Sequence, residues 1–191
     1  MLAYSQAVQH LNRYLGFFPK ERTELSALIS QLEEETDVFN RGNMRGHITT
    51  STLVIDPIAL KTLLIHHKLY NRWIQPGGHN EEAQALWLSA CRELDEETAL
   101  PLYAAHPWYG RDITPFDIDT HAIAAQPKRN EGPHFHHDYL YLVTADSRLP
   151  LIAQKEEVFA AAWEPLSKLK ELGGRRFHKM LNKLPQIGIV F

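Results

Sequence analysis

The stretch from Trp73 to Glu97 constrains this chain more than any other. It reads as a short strand, Trp73-Ile74-Gln75, stopped by a Pro76-Gly77-Gly78 turn, then a helix over about 82–98 ending in Glu93-Leu94-Asp95-Glu96-Glu97. At 100° per residue, taking Glu93 as zero, Glu97 falls near ~40° and Glu96 near ~300°, an arc of about 100°. Trp87, Ala90, Cys91, Leu94 and Thr98 occupy roughly 60–160° and form the buried stripe, so the glutamates border the core. Like-charge repulsion at i, i+4 opposes that placement by about 0.2–0.5 kcal/mol. The negative end of the helix dipole opposes it by about 0.3–1 kcal/mol per glutamate. A divalent cation reverses both penalties, because carboxylate oxygens are preferred ligands of Mg²⁺ and Mn²⁺. From the helix alone, a solvated acidic face with Arg92–Glu96 as an i, i+4 pair explains the pattern equally well. The glycines upstream favour the cation, since a backbone without Cβ approaches an ion or phosphate closely.

The rest of the chain sorts into a helical front and a strand-rich remainder. Ala7, Leu11, Tyr14 and Leu15 mark one helical stripe, and Leu25, Leu28, Ile29, Leu32 and Val38 continue it after Pro19. Residues 1–46 are therefore expected to be a helical extension packed on the main domain, 47–191. Strands are expected at Thr49–Ile55, Thr62–His66, Asp117–Ala125, His134–Thr144 and Val158–Trp163, and short helices at Pro165–Glu171 and Arg175–Leu184. That succession fits an α/β (α+β) fold, a mixed β-sheet flanked by helices.

Gly78, Arg92-Glu93-Leu94, Glu96-Glu97 and Leu100 resemble the Nudix box, G-x5-E-x7-R-E-U-x-E-E-x-G-U with U aliphatic. The lead-in from Trp73 to His79 is similar to the usual entry to that box. Two positions depart from it: Gln84 stands at the first glutamate and Ala99 at the last glycine. The resemblance runs from about His47 to Leu172. It implies a Nudix-type α/β/α sandwich and the hydrolysis of a nucleoside diphosphate linked to some group X, with Mg²⁺ (or Mn²⁺) as cofactor. Carried over by position, Glu93, Glu96 and Glu97 are the metal-binding carboxylates, with the Gly77 carbonyl as a further ligand. Glu93 is alternatively the general base, and Arg92 orients the carboxylates. An amide at Gln84 is neither base nor counter-charge, so Glu81 or Glu82 is expected to replace it, or the site to bind metal less well. Ala99 resists the positive φ of a helix exit. The alternative is a Nudix-fold module that binds a nucleotide without turning it over.

Histidine is abundant, with 11 residues, and densest in Gly132-Pro133-His134-Phe135-His136-His137-Asp138. On a strand His134, His136 and Asp138 share one face, and His137, Tyr139 and Tyr141 the other. Asp117, Asp119 and His121 share a face of the neighbouring strand. The cluster reads either as a second metal site or phosphate contact, or as polar side chains bonded to one another. His79, Lys68, Arg72, His134, His136 and Asp138 are the substrate-contact candidates, Lys68 and Arg72 being equally consistent with surface charge. Trp108, Tyr109 and Phe116 line the pocket or pack in a loop. The resemblance to the Nudix family also implies a distal glutamate completing the metal site, for which Glu157 and Glu131 are the candidates. Cys91 reads as a buried structural thiol.

A net charge of −3 over 191 residues gives no basic field for nucleic acid. One cysteine excludes an internal disulfide framework, and the sequence has neither a signal-peptide pattern nor an apolar run long enough for a span. The expectation is a cytoplasmic protein acting on a small nucleotide derivative, with no nucleic-acid or membrane partner, whose front helices either form a homodimer contact or cap the pocket.

Overall fold

The structure, a computed structural model, describes residues 2–80, 84–108, 110, 112–127 and 130–190. Helices α1 (Leu2–Phe17) and α2 (Ser26–Glu34) come first, joined by a 3-10 turn at Pro19–Arg22. Strands β1 (Gly46–Asp56), β2 (Lys61–His67), β3 (Arg72–Ile74) and β4 (Gly77–His79) follow, then helix α3 (Leu86–Thr98). The chain continues through β5 (Ala104–Ala105), β6 (Asp117–Ile123), β7 (His134–Thr144), β8 (Val158–Pro165), α4 (Lys168–Leu172) and α5 (Arg175–Lys183).

All eight strands form one mixed sheet. β1 runs parallel to β7 over ten aligned pairs, Gly46↔Phe135 to Ile55↔Thr144, while the other pairings are antiparallel. β1 is buried along its whole length because it is the axis of the sheet, covered on both faces. One face carries Ile48, Tyr139 and Tyr141 against α1, α2 and α3. The other carries Leu53, Ile55, Leu140 and Leu142 against α4 and α5. This is the α/β/α sandwich.

The glycine pair is not a turn, as its composition suggests, but the strand β4, antiparallel to β1 with Gly77 opposite Ser51. A Cβ on Gly77 would lie 2.5 Å from the Ser51 Cβ, so the strands approach this closely only without a side chain there. β8 runs on to Pro165, past its expected end, because Lys61 of β2 pairs with it. The front helices belong to the core: Ala7, Leu11, Tyr14, Leu28 and Leu32 are buried in the same cluster as Leu86 and Ala90 of α3. The Gln6 side chain accepts the Leu86 backbone N–H at 2.8 Å, satisfying a donor at the start of α3 that its own N-cap, Ala85, cannot.

Candidate active site

β4 and α3 build the site together. A Cβ on Gly78 would stand 2.5 Å from the Glu93 carboxylate, so the second glycine holds open the space that Glu93 fills. The Gly77 N–H donates to Glu97 Oε2 at 2.9 Å. Glu93 and Glu97 are only 8% and 3% exposed, one turn apart on the inward side of α3. Glu96 faces solvent. Arg92 ties this edge of the helix together, donating to Glu93 Oε1 and Glu96 Oε2 at 2.8 Å each and to the His79 carbonyl at 2.9 Å.

Gln84 is turned toward Arg92, whose Nε donates to its amide oxygen at 3.3 Å. The departure from the box therefore sits beside the orienting arginine and not among the buried carboxylates. The suggested replacements, Glu81 and Glu82, lie outside the described residues, as does Tyr109. Ala99 takes the left-handed conformation, φ 46 and ψ 36, with its N–H on the Asp95 carbonyl at 2.8 Å. The helix thus exits as a glycine would let it, at the expense of alanine strain.

Burial dominates the electrostatics here. It pushes the Glu97 carboxyl up to about 9; the Gly77 N–H opposes this, and the charges of Glu93, Glu157 and Glu96 add to it. Burial likewise raises Glu93 to about 7 against the opposing pull of Arg92. Both acids are thus pushed toward the neutral form, Glu97 further than Glu93, and Glu157, on the loop before β8, adds a further negative charge. Glu131, the other distal candidate, is committed to Arg41 at 2.7 Å.

Glu93 and Glu96 line a cleft of about 1620 Å³ that also receives Lys68, Arg72, His79, His136 and Asp138. The ammonium of Lys68 lies 5.6 Å over the Phe159 ring, and Arg72 lies over Tyr70 at the same distance. Asp138 lines the cleft, yet its oxygens are taken by Thr49 (2.8 Å), Ser51 and Arg176. His134 is buried, its Nδ1 on the Gly132 carbonyl at 2.8 Å. His137 points to the opposite face, as alternation predicts, and meets Gln31 and Thr120. Trp108 packs on Phe17, Phe18 and Phe116, which is loop packing. Cys91 is half-buried and burial raises its thiol to about 11.

Two groups escape a reading of the sequence. Arg176, Lys179 and Lys183 on α5 meet the Asp117, Asp119 and Asp138 row, with Lys183 at 2.7 Å and Lys179 at 2.9 Å from Asp117. His47 joins His79, His134 and His136, with ring centroids 4.7–5.1 Å away. The helical period of α5 was the available signal for the first group. For His47 there was none, since only strand register places it.

The NUDIX domain family profile matches residues 47–183. No curated protein matches the chain in sequence. A NUDIX-family hydrolase from Clostridium perfringens has a similar crystal structure, with TM-score 0.54 and 20% identity over 76% of this chain and 97% of that one. The E. coli dihydroneopterin triphosphate pyrophosphohydrolase gives 0.53 and 10%, over 73% and 94%. The C. elegans Ap4A hydrolase binary complex gives 0.51 and 16%, over 73% and 95%. With its signature carboxylates gathered at the β4–α3 junction and the profile spanning most of its length, this chain is a member of the NUDIX family.

Proposed function

We propose that this chain hydrolyses a pyrophosphate bond in a nucleoside diphosphate linked to a further group, by attack of water at phosphorus. The observation that carries this reading is the pair of buried carboxylates, Glu93 and Glu97, raised to about 7 and 9 beside a large cleft. Acids placed so are a poor way to stabilise a fold and a good way to receive a cation. The donor set suits Mg²⁺ or Mn²⁺: carboxylates of Glu93, Glu96 and Glu97, with the Gly77 carbonyl, all oxygen. When bound, such a cation supplies charge neutralisation at the phosphates and water activation.

The chain's own residues do the rest. Arg92 holds Glu93 and Glu96 in register with β4 and contacts the His79 carbonyl, so it acts as a positioning residue. Glu93, with a value near neutrality before metal binds, is suited either to ligation or to taking a proton from water. Lys68 and Arg72 bring positive charge to the cleft wall, where anionic substrate lies, and His79 and His136 offer neutral ring nitrogens. The position of Gln84, on Arg92 with Glu93 and Glu97 still buried on α3, supports this reading over that of a non-catalytic module.

The test is turnover of a panel of dinucleoside polyphosphates, nucleotide sugars and nucleoside triphosphates in millimolar Mg²⁺ or Mn²⁺, with products identified by mass. In ¹⁸O-water the label is expected on a phosphate product, and Glu97→Gln is expected to reduce kcat by about 100-fold or more. Absence of product across the panel, or undiminished turnover by Glu97→Gln, overturns the reading.

A further inference from the structure

His47, His79 and His136 converge from three strands on one point. Their ligand-capable nitrogens all lie within 4.8 Å of one another. Register explains why: His47 of β1 is aligned with His136 of parallel β7, and Thr49, two residues along the same face of β1, is opposite His79 of β4. His47 is 1% exposed, and neither of its ring nitrogens makes a hydrogen bond of ordinary geometry, although the Asn43 backbone lies near enough to act on the ring. A buried imidazole without a well-formed hydrogen bond is unusual, because buried polar groups are ordinarily satisfied.

We propose that His47, His79 and His136 form a second cation site, selective for a transition metal of the Zn²⁺ class and separate from the carboxylate site. Three imidazoles suit Zn²⁺ and leave an open coordination position, whereas Mg²⁺ prefers oxygen donors. A Zn–N bond of about 2.0–2.1 Å requires nitrogens roughly 3.4 Å apart, so the rings close on the ion by rotating on fixed strands. The surroundings provide further anchoring. His121, its Nδ1 held by Asp119 Oδ2 at 2.9 Å, stands with its ring 5.7 Å from that of His136, and His134 stacks on His47 at 4.8 Å. His79 and His136 line the same cleft as Glu93. This assignment is independent of the pyrophosphate reading.

The test is titration of the chelator-stripped full chain with Co²⁺, followed by its visible absorption, and with Zn²⁺ by calorimetry. One equivalent of tetrahedral Co²⁺, displaced by Zn²⁺, is expected in the native sequence and in Glu97→Gln, in excess Mg²⁺. His47→Asn, His79→Asn and His136→Asn are each expected to weaken binding by about 100-fold or more, beyond the loss typical of outer-shell changes. Where His47→Asn fails to fold by circular dichroism, the half-buried His79→Asn decides the matter. The proposal is overturned if the stripped chain binds no Co²⁺, if the histidine variants bind it as tightly, or if Glu97→Gln abolishes it.

Discussion

Two sets of carboxylates are buried on opposite faces of one sheet, and they meet opposite surroundings. On the α5 face, Asp117 takes Lys179 and Lys183, Asp138 takes Arg176, and Asp119 takes His121 and Arg175. Burial alone would raise Asp119, but the His121 hydrogen bond and the charges of Arg176 and Lys179 outweigh it and hold the carboxyl well below its usual range. On the α3 face, among the described residues, burial is opposed chiefly by Arg92 and the Gly77 N–H, and Glu93 and Glu97 rise to about 7 and 9. Burial is therefore uninformative by itself. A buried acid matched by the chain's own cations is architecture, and one whose value stays raised is, on the reading proposed above, where an external cation binds.

The contrast breaks most sharply at Asp117. Asp117→Asn leaves two buried ammonium groups facing a neutral amide, with Glu21 as their remaining carboxylate. It is expected to destabilise the fold by about 3 kcal/mol or more, read from urea denaturation. Glu97→Gln, on the other face, is expected to leave metal-free stability unchanged or higher while removing turnover.

A finer separation comes from pH. A carboxyl whose value rises from 4.5 to about 9 on folding binds more protons folded than unfolded between those values. Its contribution is fully present below pH 4.5 and is lost as pH climbs toward 9. Asp119 has the opposite sign, contributing above its unfolded value and losing that contribution as pH falls. In chelator, denaturation midpoints across pH 5–9 should therefore fall more steeply for the native sequence than for Glu97→Gln, and added Mg²⁺ should flatten the native curve. Identical slopes would remove Glu97 from the account.

The smallest effect concerns the helix exit. Ala99→Gly relieves a left-handed alanine and is expected to raise stability by about 1 kcal/mol with turnover unchanged. Thermal melts of the two proteins suffice.

How legible all this is in the sequence follows from the range of each contact. Arg92, Glu93, Glu96 and Glu97 lie within a few residues on one helix, where the 3.6-residue period fixes which of them face the core. β6 and β7 alternate cleanly, so Asp119 with His121, and His136 with Asp138, fall on their faces as expected. The glycine strand β4 was hidden because a Pro-Gly-Gly run resembles a turn until its partner strand is known. Partners of the buried acids were hidden more deeply. Asp138 bonds Thr49 from 89 positions away, and Arg176 reaches Ser51 from 125. Such pairings depend on parallel register and on which face α5 covers, and neither leaves a local pattern.

One contact bears on what can be moved between proteins. The match to the family profile begins at His47, yet the first backbone donor of α3, the helix that carries Glu93 and Glu97, is held by Gln6, 80 positions before Leu86. A graft of residues 47–183 onto another chain would carry the carboxylates and leave behind the amide that starts their helix. What is inherited as a motif and what holds together as a body are, in this molecule, two different lengths of chain.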